Sequence, residues 1–236
     1  MTNETTRRGF LRTVGTGAAA TAALSALGAE AGAAATAPVK ILGISTSLRK
    51  GKTTAAAVQR ALDAAKAVAP DRIEVELIDI AGSRIPVDTL VGLTLPPGER
   101  DDFPAIAEKL GAPQVAGIIV GTPVYFANMT SLCKAFLERL MVFRKKDFAL
   151  AKKVGGVLAV GGGRNGGGEL TIQSVQAALM AQEMIVVGDG RPTCHFGPVL
   201  WSQNDSIEKD EVGLKATDNL GRNVAEVVLR MTPPRP

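Results

Sequence analysis

The apolar positions of this chain fall into short unbroken runs separated by stretches in which they recur every three or four residues. Runs at 39–44 (VKILGI), 73–80 (IEVELIDI), 115–120 (VAGIIV), 154–160 (VGGVLAV) and 184–187 (MIVV) have the length and character of buried strands. Between them, Val58, Leu62, Ala65 and Val68 share one helical face that ends before Pro70. Residues 103–110 suit a short helix, Cys133, Phe136, Leu137 and Leu140 mark a helix from Thr130, and Ile172, Val175 and Leu179 mark another. A last helix over 212–231 carries Leu220, Val224, Val227 and Val228 on one side. Residues 81–102 and 190–209 are rich in turn formers and are read as irregular, and the tail 232–236 as frayed. Strand and helix alternate five times, and uniformly apolar strands belong to a sheet covered on both faces. The pattern predicts a doubly wound α/β domain with a five-stranded parallel sheet and helices on both faces. Sheets of this kind bind ligands at the carboxyl ends of their strands, so the loops there are where chemistry is sought.

The first residues do not fit that pattern. Thr6-Arg7-Arg8-Gly9-Phe10-Leu11-Arg12 precedes an Ala-, Gly- and Thr-rich run to Ala37, broken only by Glu30. It resembles a twin-arginine export signal, with small residues at 31–35 suited to cleavage. A first helix of the fold is disfavoured because the run is apolar on all sides. A membrane anchor is disfavoured by the shortage of Leu, Ile and Phe. Residues 1–37 are therefore set apart as a signal peptide and 38–236 as the domain. The protein is expected outside the cytoplasm, in the periplasm or an equivalent compartment, with membrane contact only through the signal.

Charge and composition narrow the classes. The net charge is +4, but the longest basic cluster, Arg144-Lys145-Lys146, has no interleaved aromatics and reads as a solvated helix end, so no nucleic-acid partner is expected. Two cysteines, Cys133 and Cys194, and one histidine, His195, are too few for an iron–sulfur, zinc or multi-histidine site, and no metal is expected. Pairing of the two cysteines is open in an oxidising compartment. Cys133 lies on the apolar side of its helix, which favours a buried free thiol. His195 and Trp201 fall in the irregular segment, where an ordinary packed loop is the simpler reading.

Three strand-end loops carry the candidate chemistry. The first, TSLRKGKTT at 46–54, joins a strand to a helix N-terminus, where free N–H groups and the helix dipole attract an anion. Ser45, Thr46, Ser47, Thr53 and Thr54 add hydroxyls, and Arg49, Lys50 and Lys52 add positive charge, so a phosphate is expected here. A nucleoside-triphosphate loop is the competing reading, with Asp79 as its acid. Thr46 stands where that motif requires its first glycine, and this argues against it. The second loop, GTPVYFANMT at 121–130, puts Pro123, Tyr125 and Phe126 at the sheet's top edge, in a chain with one Tyr and seven Phe. Asn128 or Thr130 can cap the next helix. The third, GGGRNGGGE at 161–169, has glycines dense enough for a flat ring to lie against bare backbone.

In order and spacing, GISTSLRKGKTT, GTPVYFANMTSLCKAFLERL and VGGGRNGGGE resemble the NADPH-dependent FMN reductase and iron–sulfur-flavoprotein branch of the flavodoxin-like superfamily. That resemblance covers residues 39–231 and implies a flavodoxin-like fold. It implies FMN with its phosphate bonded by Ser45, Ser47, Arg49, Thr53 and Thr54. Its ring would lie on Pro123, Val124, Tyr125, Phe126 and Asn128, bracketed by Gly163, Arg164, Asn165, Gly166 and Gly167. The cysteine cluster of the iron–sulfur members is absent, and Lys52 and Thr53 depart from the usual residues. The implied activity is an NAD(P)H-dependent reductase of a quinone, a flavin or a similar small acceptor, with no catalytic side chain required because the flavin carries the chemistry. Tyr125, Phe126 and Arg164 are then substrate-side contacts. A flavodoxin-like electron carrier is the alternative, although such carriers are generally acidic. The resemblance also implies a homodimer or tetramer. Export adds a tension over the reductant, since a membrane quinol would be at hand where NAD(P)H is scarce.

Overall fold

In the computed structural model, which describes residues 38–233, the apolar runs become parallel strands. They are β1 (Val39–Ser45), β2 (Ile73–Asp79), β3 (Val115–Pro123), β4 (Val154–Gly161) and β5 (Ile185–Val187). The helices are α1 (Thr53–Val68), α2 (Phe103–Gly111), α3 (Ser131–Arg139), the single turn α4 (Met141–Arg144), α5 (Gly168–Met180) and α6 (Glu211–Met231). The sheet order is β2-β1-β3-β4-β5, so the chain reverses its direction of winding between β1 and β3. Loops at that point splay apart and leave a crevice. The expected export signal, residues 1–37, lies outside the described residues, as do the last three residues of the tail.

Strand residues alternate between the two faces and feed two cores. Leu42, Ile118 and Val157 face Phe103, Leu110, Phe136, Ile172 and Leu179. Their neighbours Ile41, Ile119 and Leu158 face Val58, Leu62, Leu220, Val224 and Val228. On this second side α1 and α6 cross closely: a Cβ at Gly221 would stand 2.0 Å from the Ala61 carbonyl oxygen. Arg60 on α1 also makes two 2.7 Å bonds to Asp218 on α6.

Two expectations need correction. The strands are not all buried, because β2 is an edge strand and only half covered. Its Glu76 faces Lys40 and Lys109, at 3.3 and 2.6 Å. The segment 190–209 is also not wholly irregular. A sixth strand, β6 (Val199–Trp201), pairs with Ala159–Gly161, while β5 pairs with Val154–Gly156. Two three-residue strands thus share one edge of β4. β6 brings the chain after it back to the carboxyl ends of the strands.

Candidate functional site

The loops after β1, β3 and β4 end neighbouring strands, and hydrogen bonds tie the first two to each other. Thr46 in the first loop donates its hydroxyl to the Gly121 carbonyl at 2.9 Å. The Thr130 hydroxyl donates to the Thr46 carbonyl at 2.9 Å and accepts from the Cys133 N–H at 3.0 Å, so one side chain caps α3 and holds the first loop. Of the two expected caps, Thr130 is the one used. Asn128 instead accepts the N–H of Met129 at 2.8 Å.

The first loop is a cradle with spare polar capacity. Ser45, Ser47, Thr53 and Thr54 are all buried, and the Ser45 hydroxyl has no protein partner. The Ser47 oxygen accepts the N–H of Arg49 at 3.1 Å, which turns the loop. No side chain caps the N-terminus of α1, leaving its first-turn N–H groups open to an external acceptor. A phosphate monoester fits this donor set of hydroxyls, bare amides and nearby cations. The Asp79 carboxylate braces the loop by accepting the N–H of Gly51 at 2.7 Å, and it also accepts that of Ala81 at 3.2 Å.

Two of the loop's three cations are already engaged. Arg49 meets the Asp205 carboxylate at 2.6 Å and Lys52 meets it at 3.5 Å. Arg49, foremost, holds the Asp205 carboxyl below the usual carboxylate range. Asp205 was not foreseen from the sequence. It sits at the tip of a tight turn over 203–206, with Asn204 and Asp205 both at positive φ.

The second loop makes a two-residue turn. Tyr125 and Asn128 exchange backbone hydrogen bonds of 2.8 and 3.0 Å, with Phe126 at φ 51° and Ala127 at φ 57° between them. Left-handed conformations cost a non-glycine residue roughly 1–2 kcal/mol each, and such strain gathers where a surface is held ready for a ligand. The turn leaves the Phe126 ring wholly exposed and Tyr125 half exposed, while Pro123 is buried and the Val124 N–H bonds the Val160 carbonyl at 2.9 Å.

The third loop leans on the second. Gly167, at φ 90°, packs so closely that a Cβ there would lie 2.3 Å from the Ala127 methyl. Gly162 and Gly163 face open space, and a Cβ at Gly166 would find only the Gly163 carbonyl nearby. The Gly162 carbonyl accepts the Trp201 indole N–H at 3.0 Å, so Trp201 braces this loop. Arg164 points its guanidinium at the buried Asp210, which also accepts the N–H groups of Trp201 at 2.6 Å and Gly213 at 2.8 Å. The structure thus gives Arg164 a bracing partner where a substrate contact was expected. Asn165 is exposed at the loop's tip. His195, its Nδ1 3.0 Å from the buried Asp189, lines a cleft of about 520 Å³ beside β5 and also a smaller pocket that it shares with Arg164. Among the described residues no group of three or more His, Cys, Asp or Glu is placed to hold a metal ion.

A phosphate cradle after β1, an exposed aromatic turn and a glycine loop that faces open space at Gly162 and Gly163 fit a flavin mononucleotide. The model of the NADPH-dependent FMN reductase family matches residues 39–197. The chain belongs to that family, a family of FMN-binding oxidoreductases with the flavodoxin-like fold. Over 196 residues it is 37% identical to an iron–sulfur flavoprotein of Methanocaldococcus jannaschii, covering 80% of this chain and 97% of the relative. A shorter match, 45% identical over 71 residues, covers 30% of this chain and 34% of an NAD(P)H dehydrogenase (quinone) of Paracoccus denitrificans. Among solved structures, a WrbA-like flavodoxin of Agrobacterium tumefaciens superposes with a TM-score of 0.57 at 16% identity, over 82% of this chain and 99% of that one. This last likeness is one of fold.

Proposed function

We propose that this chain holds FMN across the three loops and uses it to pass reducing equivalents from NAD(P)H to a quinone, a flavin or another small acceptor. The observation that carries the proposal is the convergence of the loops: an uncapped helix N-terminus and the unpartnered Ser45 hydroxyl at one end, the exposed Phe126 and Tyr125 faces and bare glycines at the other. The family membership and the local match to a quinone-reducing dehydrogenase support it. When bound, FMN supplies the hydride and electron chemistry. The chain's own residues bind and orient: Ser45, Ser47, Thr53, Thr54 and the first-turn amides of α1 receive the phosphate, and Pro123–Asn128 and the glycines at 163, 166 and 167 receive the ring. No side chain is assigned a proton-transfer role. Within these 236 residues two cysteines are too few to ligate an iron–sulfur cluster, so the metal chemistry in the relative's name is not carried over.

The test is steady-state oxidation of NADH and of NADPH by the FMN-loaded protein with a soluble quinone as acceptor. Sustained turnover supports the reductase reading. Bound flavin without turnover on either nucleotide and any acceptor would overturn it in favour of an electron carrier.

A further inference from the structure

The segment 201–210 is anchored at both ends on the glycine loop and reaches the phosphate loop in its middle. Its first residue, Trp201, donates its indole N–H to Gly162 in the glycine loop, and its last, Asp210, holds Arg164 of the same loop. Between them the turn at 203–206 carries Asp205 across to Arg49 and Lys52 in the phosphate cradle. The turn is tight: Gln203 and Ser206 exchange backbone hydrogen bonds of 2.8 and 2.9 Å, and both tip residues sit in the left-handed region. Asp205 is therefore presented at Arg49 and Lys52, two of the three cations of the loop that leads into α1. These are also the cations that an incoming phosphate would attract.

We propose that Asp205 is an internal counter-ion of the phosphate cradle that a phosphate monoester must displace, so that cofactor entry at the first loop loosens the strap holding the third. This rests on the FMN reading of the site and adds a specificity residue to it. A carboxylate and a phosphate dianion repel at such separations, and both cannot be served fully by one guanidinium and one ammonium. Displacement fixes the sign of two effects. Binding of the phosphorylated flavin is weakened by Asp205, whereas binding of riboflavin, which has no phosphate, is indifferent to it. Release of the 203–206 turn also alters the surroundings of Trp201, the chain's one tryptophan.

The experiment compares the wild-type protein with D205N, which keeps the side chain's size and removes its charge. Dissociation constants are measured for FMN, riboflavin and inorganic phosphate, with Trp201 emission recorded during the phosphate titration, where no chromophore interferes. The expected result is that D205N binds FMN and phosphate roughly 3- to 10-fold more tightly, the scale of losing two exposed competing ion pairs, with riboflavin affinity unchanged. Phosphate should also shift Trp201 emission in the wild type and much less in D205N. Unchanged or weaker FMN binding in D205N would overturn the proposal while leaving the FMN site intact. A wild type that binds no FMN at any ionic strength would instead overturn the reading beneath it. An equal gain for riboflavin would assign Asp205 to general loop stability and sink the counter-ion role.

Discussion

Thr130 gives the sharpest test of how the site is held together. Its buried hydroxyl is 2.9 Å from the Thr46 carbonyl, to which it donates, and 3.0 Å from the Cys133 N–H, from which it accepts. Replacing Thr130 with Val keeps the shape and the β-branching but removes both bonds at once. The cap is worth about 1 kcal/mol. The Thr46 carbonyl, stranded without water, adds about 1–3 kcal/mol. The loss should therefore be about 2–4 kcal/mol. For a domain of this size that is a fall of roughly 4–16 °C in Tm. The damage is also directional, because Thr46 belongs to the phosphate loop, so FMN affinity should fall more than riboflavin affinity. Urea unfolding and flavin titration of T130V measure both effects, with T130S, which retains the hydroxyl, as the control that stays near wild type. A T130V protein within about 0.5 kcal/mol of wild type (half the cap loss of about 1 kcal/mol) would refute the reasoning, since neither bond could then matter.

Other consequences are equally specific. G167A should weaken flavin binding and destabilise the fold by about 1–3 kcal/mol, because a methyl there stands 2.3 Å from that of Ala127 at a positive φ; adding A127G should recover part of the loss in thermal melts. Burial, partly opposed by hydrogen bonds to Thr46 and Thr122, pushes the Cys133 thiol up to about 11. The folded state thus keeps a proton that the unfolded chain releases near pH 9, so stability is full below pH 9 and declines toward pH 11 by about 2–3 kcal/mol. C133A should flatten that alkaline slope in urea titrations. At neutral pH a thiol reagent should label exposed Cys194 and reach Cys133 only after unfolding. Finally, residues 1–37 fused to a folded fluorescent reporter should send it across the membrane of a bacterium with the twin-arginine route, and changing Arg7 and Arg8 together to Lys should keep it inside.

How much of this was legible in the sequence varies with range. The strands β1 to β5 and the helices between them follow from apolar runs and periodicity, since burial of one face dictates both. The three strand-end loops were legible too, because hydroxyls, aromatics and glycines cluster there in consecutive residues. β6 was not, as Val199-Leu200-Trp201 is too short for a pattern and exists only through its pairing with β4. Asp210 left a readable signal, an aspartate just before the last helical run, the residue type that caps helices. Its second role, holding Arg164 from 46 positions away, left none. The Arg49–Asp205 pair joins residues 156 apart, and no local pattern announces a partner at that distance. The positions of these loops were thus readable, while their ionic bracing was not.

The central claim is that the three loops hold FMN. It is tested most directly by the absorbance spectrum of the protein isolated from its native compartment, with the released cofactor identified by chromatography. The account predicts a yellow protein with flavin bands, releasing FMN at roughly one per chain, the occupancy expected of a single site formed at one topological switch point. A colourless protein that takes up neither FMN nor riboflavin on titration would contradict it.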